Sequence, residues 1–229
     1  MGKSATDALA AWSGAQMRRE PQQERSRARV RQILLSADEV LSAEGFEALT
    51  VRRIAQAAGV PVGSIYQFFP DKAAVIDALA VSYLDDFGAA IEELTAAAQA
   101  EAWDDPVQIL VDAFAQMYRA RPGYVALWSG RHLSPRLALA DEANNAAIAD
   151  GVRRVLIAQA ELPDGEPLAR ISRISVVVAD ALLQFAFRAG PTGDEFVLDE
   201  LKTLLRLYLA DVTRRMAAEP TEPGDAVAE

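Results

Sequence analysis

The chain has 229 residues and is 51% hydrophobic, enough for a sizeable core in one large or two smaller domains, and it contains no cysteine. Disulfides, thiolate metal sites and cysteine nucleophiles are thereby excluded, which suits a reducing compartment. The net charge of −10 would argue against nucleic acid, but residues 1–72 carry ten Lys or Arg against eight Asp or Glu, while residues 73–229 are strongly acidic. Residues 18–31 alone hold six Arg against two Glu. A locally basic head on an acidic body is the pattern of a DNA-binding module joined to a domain with another task. No run of 18 apolar residues occurs, since Ile174 to Phe187 is interrupted by Asp180 and Gln184. No secretion signal is read in the first 24 residues, so the expected location is cytoplasmic.

Residues 1–24 read as a flexible arm, polar and mixed, with Gly2, Gly14 and Pro21. A first helix is predicted from about Gln22 to Ala43, with Ile33, Ala37, Val40 and Leu41 as its apolar stripe and Gly45 as its stop. Thr50 is the expected N-cap of a short second helix, Val51 to Ala58, which Gly59 ends. A third short helix runs from Pro61 or Val62 to Phe68, and Pro70-Asp71-Lys72 opens a long fourth. Asp104-Asp105-Pro106 separates the fourth from a fifth near 106–120. Arg121-Pro122-Gly123 reads as punctuation before a sixth helix to about Ser129. Ser134-Pro135 caps a seventh to about Ala160, and Pro163-Asp164-Gly165 turns into an eighth over roughly 167–189. A loop at 190–193 leads to a ninth over roughly 195–217, and residues 219–229 read as a disordered acidic tail. No segment alternates like a strand, so the fold class is all-α with about nine helices.

The segment Thr50 to Lys72, TVRRIAQAAGVPVGSIYQFFPDK, carries the functional argument. Two short helices joined by a tight turn at Gly59 make a helix-turn-helix. Ile54, Ala57 and Ala58 are expected to face inward, with Val60 and Ile65 completing the seam. The second short helix then presents Val62, Gly63, Ser64, Tyr66 and Gln67 to a major groove.

On Gly45-Phe46, Thr50, Ile54-Ala55, Ala58-Gly59-Val60, Gly63-Ser64-Ile65-Tyr66, Phe69 and Lys72, the chain resembles the tetracycline-repressor family of bacterial transcriptional regulators. The resemblance covers residues 25–72. It implies a three-helix DNA-binding domain there and a helical effector-binding and dimerisation domain over 73–218. Pro61 and Val62 depart from the family, whose members often carry Ser and a basic residue; Val62 could instead pack on a thymine methyl.

Tyr66, Lys72 and Thr50 are the candidate phosphate contacts, with Ser64 and Gln67 at base edges and Gly63 allowing close approach. Arg52 and Arg53 lie near the flanking backbone, and Arg27 and Arg29, with Arg25 and Arg31, can reach phosphates or a minor groove. In the body, Ile171, Ile174, Val178, Leu182 and Phe185 recur at helical spacing, as do Leu201, Leu204, Leu205, Tyr208, Leu209 and Val212. The resemblance implies that these last two helices pair in a homodimer; the same stripes also suit an internal core. Candidates to line an effector cavity are Phe87, Trp103, Phe114, Tyr118, Trp128, His132 and Gln184. No cofactor, metal site or catalytic motif is read. The reading is a ligand-responsive regulator, a repressor released from a palindromic DNA operator by a small molecule. The alternative is a non-enzymatic helical scaffold using the head for protein contact.

Overall fold

The computed structural model describes residues 24–129 and 134–218, and among them every regular element is a helix. In chain order these are α1 (Glu24–Glu44), α2 (Val51–Ala57), α3 (Val62–Tyr66), α4 (Lys72–Ala100), α5 (Pro106–Ala120), α6 (Pro122–Ser129), α7 (Pro135–Ala160), α8 (Glu166–Phe187) and α9 (Glu195–Ala218). Residues 1–23 of the predicted arm, His132 and the tail lie outside the described residues, while Glu24, assigned to the arm, already starts α1.

Local chemistry sets the boundaries. Five helices begin on a side-chain oxygen that accepts a backbone N–H: Thr50 from Arg53 at 3.1 Å, Asp71 from Ala74 at 2.9 Å, Asp105 from Gln108 at 2.9 Å, Ser134 from Leu137 at 3.2 Å and Asp194 from Phe196 at 3.0 Å. Pro61 stands at the N-cap of α3 with no such bond, as a side chain without a polar atom must. The chain leaves α1 and α2 through Gly45 (φ 82°) and Gly59 (φ 63°), left-handed conformations that a Cβ disfavours.

Ile33, Leu49, Ile54, Ile65 and Phe69 are fully buried and form the centre of the head. The apolar core runs on without a gap into Val75, Leu79 and Leu84 of α4, so one long helix belongs to both halves. In the body α4 packs along α7, α7 along α8, and α8 along α9, while α1 also lies against α6.

Three details depart from expectation. Ala57 is exposed; Ala55 takes its place with Ile54 and Ala58, because positions i, i+1 and i+4 share the face toward the core. α3 ends at Tyr66, and Phe68 and Phe69 reach the core from the turn that follows. Pro122-Gly123 is no break, since Pro122 starts α6 and Gly123 lies inside it. A Cβ on Gly123 would sit 2.1 Å from Asp38 Oδ1 and 2.5 Å from the Tyr83 hydroxyl, so glycine there serves close helix approach.

Candidate nucleic-acid interface and body cavity

With Ile65 buried, the short helix α3 turns Val62, Gly63, Tyr66 and Gln67 to solvent, and Ser64 is half-buried. Val62 and Tyr66 are large side chains left 39% and 43% exposed. The Thr50 oxygen caps α2 as an acceptor, which leaves its hydroxyl proton to donate elsewhere.

The neighbouring cations divide. Arg52, Arg25, Arg27, Arg29 and Arg31 are exposed. Arg53 is held in a forked pair by Glu44 at the end of α1, and the guanidinium pulls that carboxyl below its ordinary range. Lys72 is half-buried; its ammonium donates to the Phe46 carbonyl at 3.3 Å and lies 4.5 Å from the centre of the Phe46 ring. Lys72 therefore also fastens the start of α4 to the loop behind α1.

A cavity of about 430 Å³ opens between α4, α5, α6, α7, α8 and α9. Its walls are mostly apolar, with Phe87, Phe114, Tyr118 and Tyr124 forming an aromatic side and Val111, Ile148, Val176 and Leu183 among its aliphatic groups. Phe87 and Phe114 stack at 5.8 Å, and Tyr118 meets Tyr124 edge-on at 5.0 Å. Of the residues singled out in the sequence, Phe87, Phe114 and Tyr118 line this space together. Trp128 lies behind the wall, stacked on Tyr124 at 4.2 Å. Gln184 is not among the lining residues and donates to Asp180 Oδ2 at 2.8 Å. Trp103 stands between α4 and α5, where its backbone N–H reaches Gln159 at 2.7 Å. His132 lies outside the described residues.

Sequence reasoning passed over Tyr124, Asn144, Ser175 and Asp180, which all line the cavity. A signal existed for Asp180: a carboxylate in the middle of a strongly apolar helix is a buried polar group that needs a reason. Burial pushes its pKa up; the Tyr118 hydroxyl, donating at 3.0 Å, and Gln184 pull the other way. Asp141 close by is raised to about 6, mainly by burial and further by the charge of Asp180, against a pull from Trp128. Across the exposed end of the cavity, Arg206 of α9 grips Asp105 at 2.6 Å.

A chain of contacts runs from the cavity to the head. Tyr124 touches Tyr83 edge-on at 5.9 Å, and the Tyr83 hydroxyl donates to Asp38 Oδ1 at 2.6 Å. Asp38 belongs to α1 and is 9% exposed. Burial raises its pKa, and Tyr83, Arg121, the Gly123 backbone and Ser42 offset part of that rise. Arg121 in turn binds Asp86 at 2.5 Å.

Two family models match, "Bacterial regulatory proteins, tetR family" over residues 33–79 and "Tetracyclin repressor-like, C-terminal domain" over residues 101–213. A TetR-family transcriptional regulator from Streptomyces coelicolor is 30% identical, with 80% of this chain and 99% of that one covered and a TM-score of 0.58. This chain belongs to the tetracycline-repressor family. Two more distant structures share the fold: a transcriptional regulator from Rhodococcus sp. Rha1 (22% identity, 80% and 96% covered, TM-score 0.61) and the fatty acid degradation regulator FadR from Bacillus halodurans (20% identity, 83% and 97% covered, TM-score 0.61). No curated protein matches the chain. As a member of the family it is a DNA-binding transcriptional regulator, and α2-turn-α3 is its helix-turn-helix. Among the described residues no helix is long and apolar enough to cross a membrane.

Proposed function

We propose that the chain is a homodimeric repressor released from a palindromic operator when a small molecule fills the body cavity. The observation that carries this reading is the continuity between cavity and head. Phe87 and Tyr124 line the cavity, Tyr124 packs on Tyr83, and Tyr83 is bonded to Asp38 of the first head helix. A ligand that moves α4 or α6 would therefore move α1 and the reading helix α3 with it. The shift requires that the ligand bind the released form more tightly than the operator-bound form.

Dimerisation rests on apolar groups that the single chain leaves uncovered. Ile174, Val177 and Phe185 of α8 are 50%, 62% and 53% exposed, and Leu204 and Leu207 of α9 are 49% and 67% exposed. Of the predicted stripes, Leu201, Leu205 and Val212 are buried within the chain, so each helix divides its apolar residues between an inner and an outer face. Two copies joined there would present two α3 helices about 34–36 Å apart, or a multiple of that distance, to successive major grooves. Tyr66, Lys72 and Thr50 would hold phosphates, while Val62, Ser64 and Gln67 would meet bases, with Gly63 allowing approach. Arg27, Arg29, Arg52 and Arg53 would add flanking contacts. Arg53 would have to leave Glu44 or carry it along.

Selection of bound duplexes from a random pool tests the reading. A two-fold symmetric consensus, bound by a dimer and released by a compound that fails to act on a cavity-filled Ala179→Phe variant, is the expected result. A non-symmetric consensus, or release unaffected by the filled cavity, would overturn it.

A further inference from the structure

We infer that the body cavity is built for a lipophilic cation, a ring-bearing molecule with an ammonium or amidinium group that seats against Asp180. The inference rests on the reading of the cavity as the effector site, and it assigns the charge of what enters.

The Asp180 carboxylate lines a mostly apolar space, and its hydrogen-bond partners are neutral, the Tyr118 hydroxyl at 3.0 Å and the Gln184 amide at 2.8 Å. Asp141 adds a second carboxylate whose charge acts on the same region. Among the described residues no Lys or Arg acts on either group. Arg206 does line the cavity, but Asp105 holds it at the opposite end of α5 from Tyr118. That helix separates the two ends by roughly 20 Å at 1.5 Å per residue. The acidic end thus has one carboxyl in the cavity wall and a second close behind it, and among the described residues no Lys or Arg offsets either.

Two more side chains point to a missing partner. Ser175 and Asn144 line the cavity, are 5% and 2% exposed, and leave the Ser175 hydroxyl oxygen and the Asn144 side-chain oxygen without a hydrogen-bond partner. Buried polar atoms of this kind are rare and costly unless something completes them. Ser175 lies on α8 five residues before Asp180, so both belong to the helix that forms one wall. An anion would meet like charge here. A neutral hydrocarbon would leave these oxygens unpaired and dry the carboxylate further. A cation supplies donors and a counter-charge, and the rings of Phe87, Phe114, Tyr118 and Tyr124 offer faces that attract it.

Three matched probes test the assignment on the full chain: 2-naphthylmethylamine, 2-naphthylmethanol and 2-naphthoate, measured by equilibrium dialysis at pH 7.5. The amine is expected to bind at least tenfold more tightly than the alcohol, and the carboxylate not to bind. Asp180→Asn should bring amine and alcohol within about twofold by weakening only the amine. The wild-type preference alone keeps the proposal testable if that variant folds poorly. Equal binding of amine and alcohol, both lost in Ala179→Phe, overturns the cation assignment and leaves the cavity as the effector site. Amine binding that persists in Ala179→Phe overturns both readings. A preference that survives Asp180→Asn, or no binding of the amine at all, overturns the inference.

Discussion

The Tyr83 hydroxyl on α4 donates to the Asp38 carboxylate on α1 at 2.6 Å, so a body helix grips the first helix of the head through a buried bond. Gly123 of α6 closes over the same two atoms, leaving no room for a side chain. Three helices that are far apart in the chain meet there, between the body cavity and the helix-turn-helix. A displacement of any one of them must be shared or the bond must break.

Tyr83→Phe keeps the ring and removes the donor. Leaving Asp38 without that partner should cost about 1–3 kcal/mol of stability. Urea denaturation would measure the loss. Effector titrations on operator-bound protein should show weaker release at equal ligand occupancy; full release would show that the bond does not transmit.

Asp141→Asn should become progressively favourable as pH rises. The folded pKa of Asp141, about 6, lies above its ordinary value of 3.8, so the folded state favours the protonated form. Its contribution is complete below pH 3.8 and is lost as pH rises through about 6. The uncharged variant escapes that loss. Relative to wild type it should gain about 1 kcal/mol between pH 5 and pH 8, after discount for partial exposure. Denaturation midpoints across that range check the sign, and a flat difference would remove the group from the account.

Phe185→Glu combined with Leu207→Glu should give a monomer. Both side chains lie on uncovered apolar faces, so the change should not disturb the internal core. Light scattering at micromolar concentration is expected to give twice 24.7 kDa for the wild type and a mass near 24.7 kDa for the variant.

Lys72→Ala should weaken binding on every duplex sequence and lower the slope of log affinity against log salt by about one per half-site. The Phe46 contact makes a small loss of stability an additional outcome. An unchanged slope would confine Lys72 to its role in holding α4.

Gln67→Ala tests base reading. Gln67 is exposed on the far side of α3 from Ile65, and its amide can match adenine N6 and N7. Loss of that match should cost about 1–3 kcal/mol against the preferred base at one symmetric pair of positions. Affinity on all single-base operator variants at one salt concentration decides it. Equal weakening on all of them would make Gln67 a backbone contact.

The helices were legible in the sequence because their limits are local. Asp105-Pro106, Ser134-Pro135 and Gly59 act on their own neighbours, and the structure starts or stops helices there. The cavity was legible only in part. Phe87, Phe114 and Tyr118 reach it, but whether an aromatic residue forms the wall or backs it depends on how six helices converge. Trp128 stacks behind Tyr124 for that reason, and no spacing rule separates the two. Gly123 misled because glycine reads as a break when neighbours in the chain are considered. Its real neighbours, Asp38 and Tyr83, are 85 and 40 positions away.

The ion pair between Asp105 and Arg206 spans the exposed end of the cavity, one partner at the start of α5 and the other on α9. Exposed pairs of this kind contribute little to equilibrium stability and weaken as salt rises. On the effector reading proposed above, a molecule entering at this end would part them on its way in and on its way out. On that reading the pair would govern residence time more than occupancy: higher ionic strength would speed arrival and departure together, so the response time would follow the salt around the protein while the dose needed for half-response stayed nearly fixed.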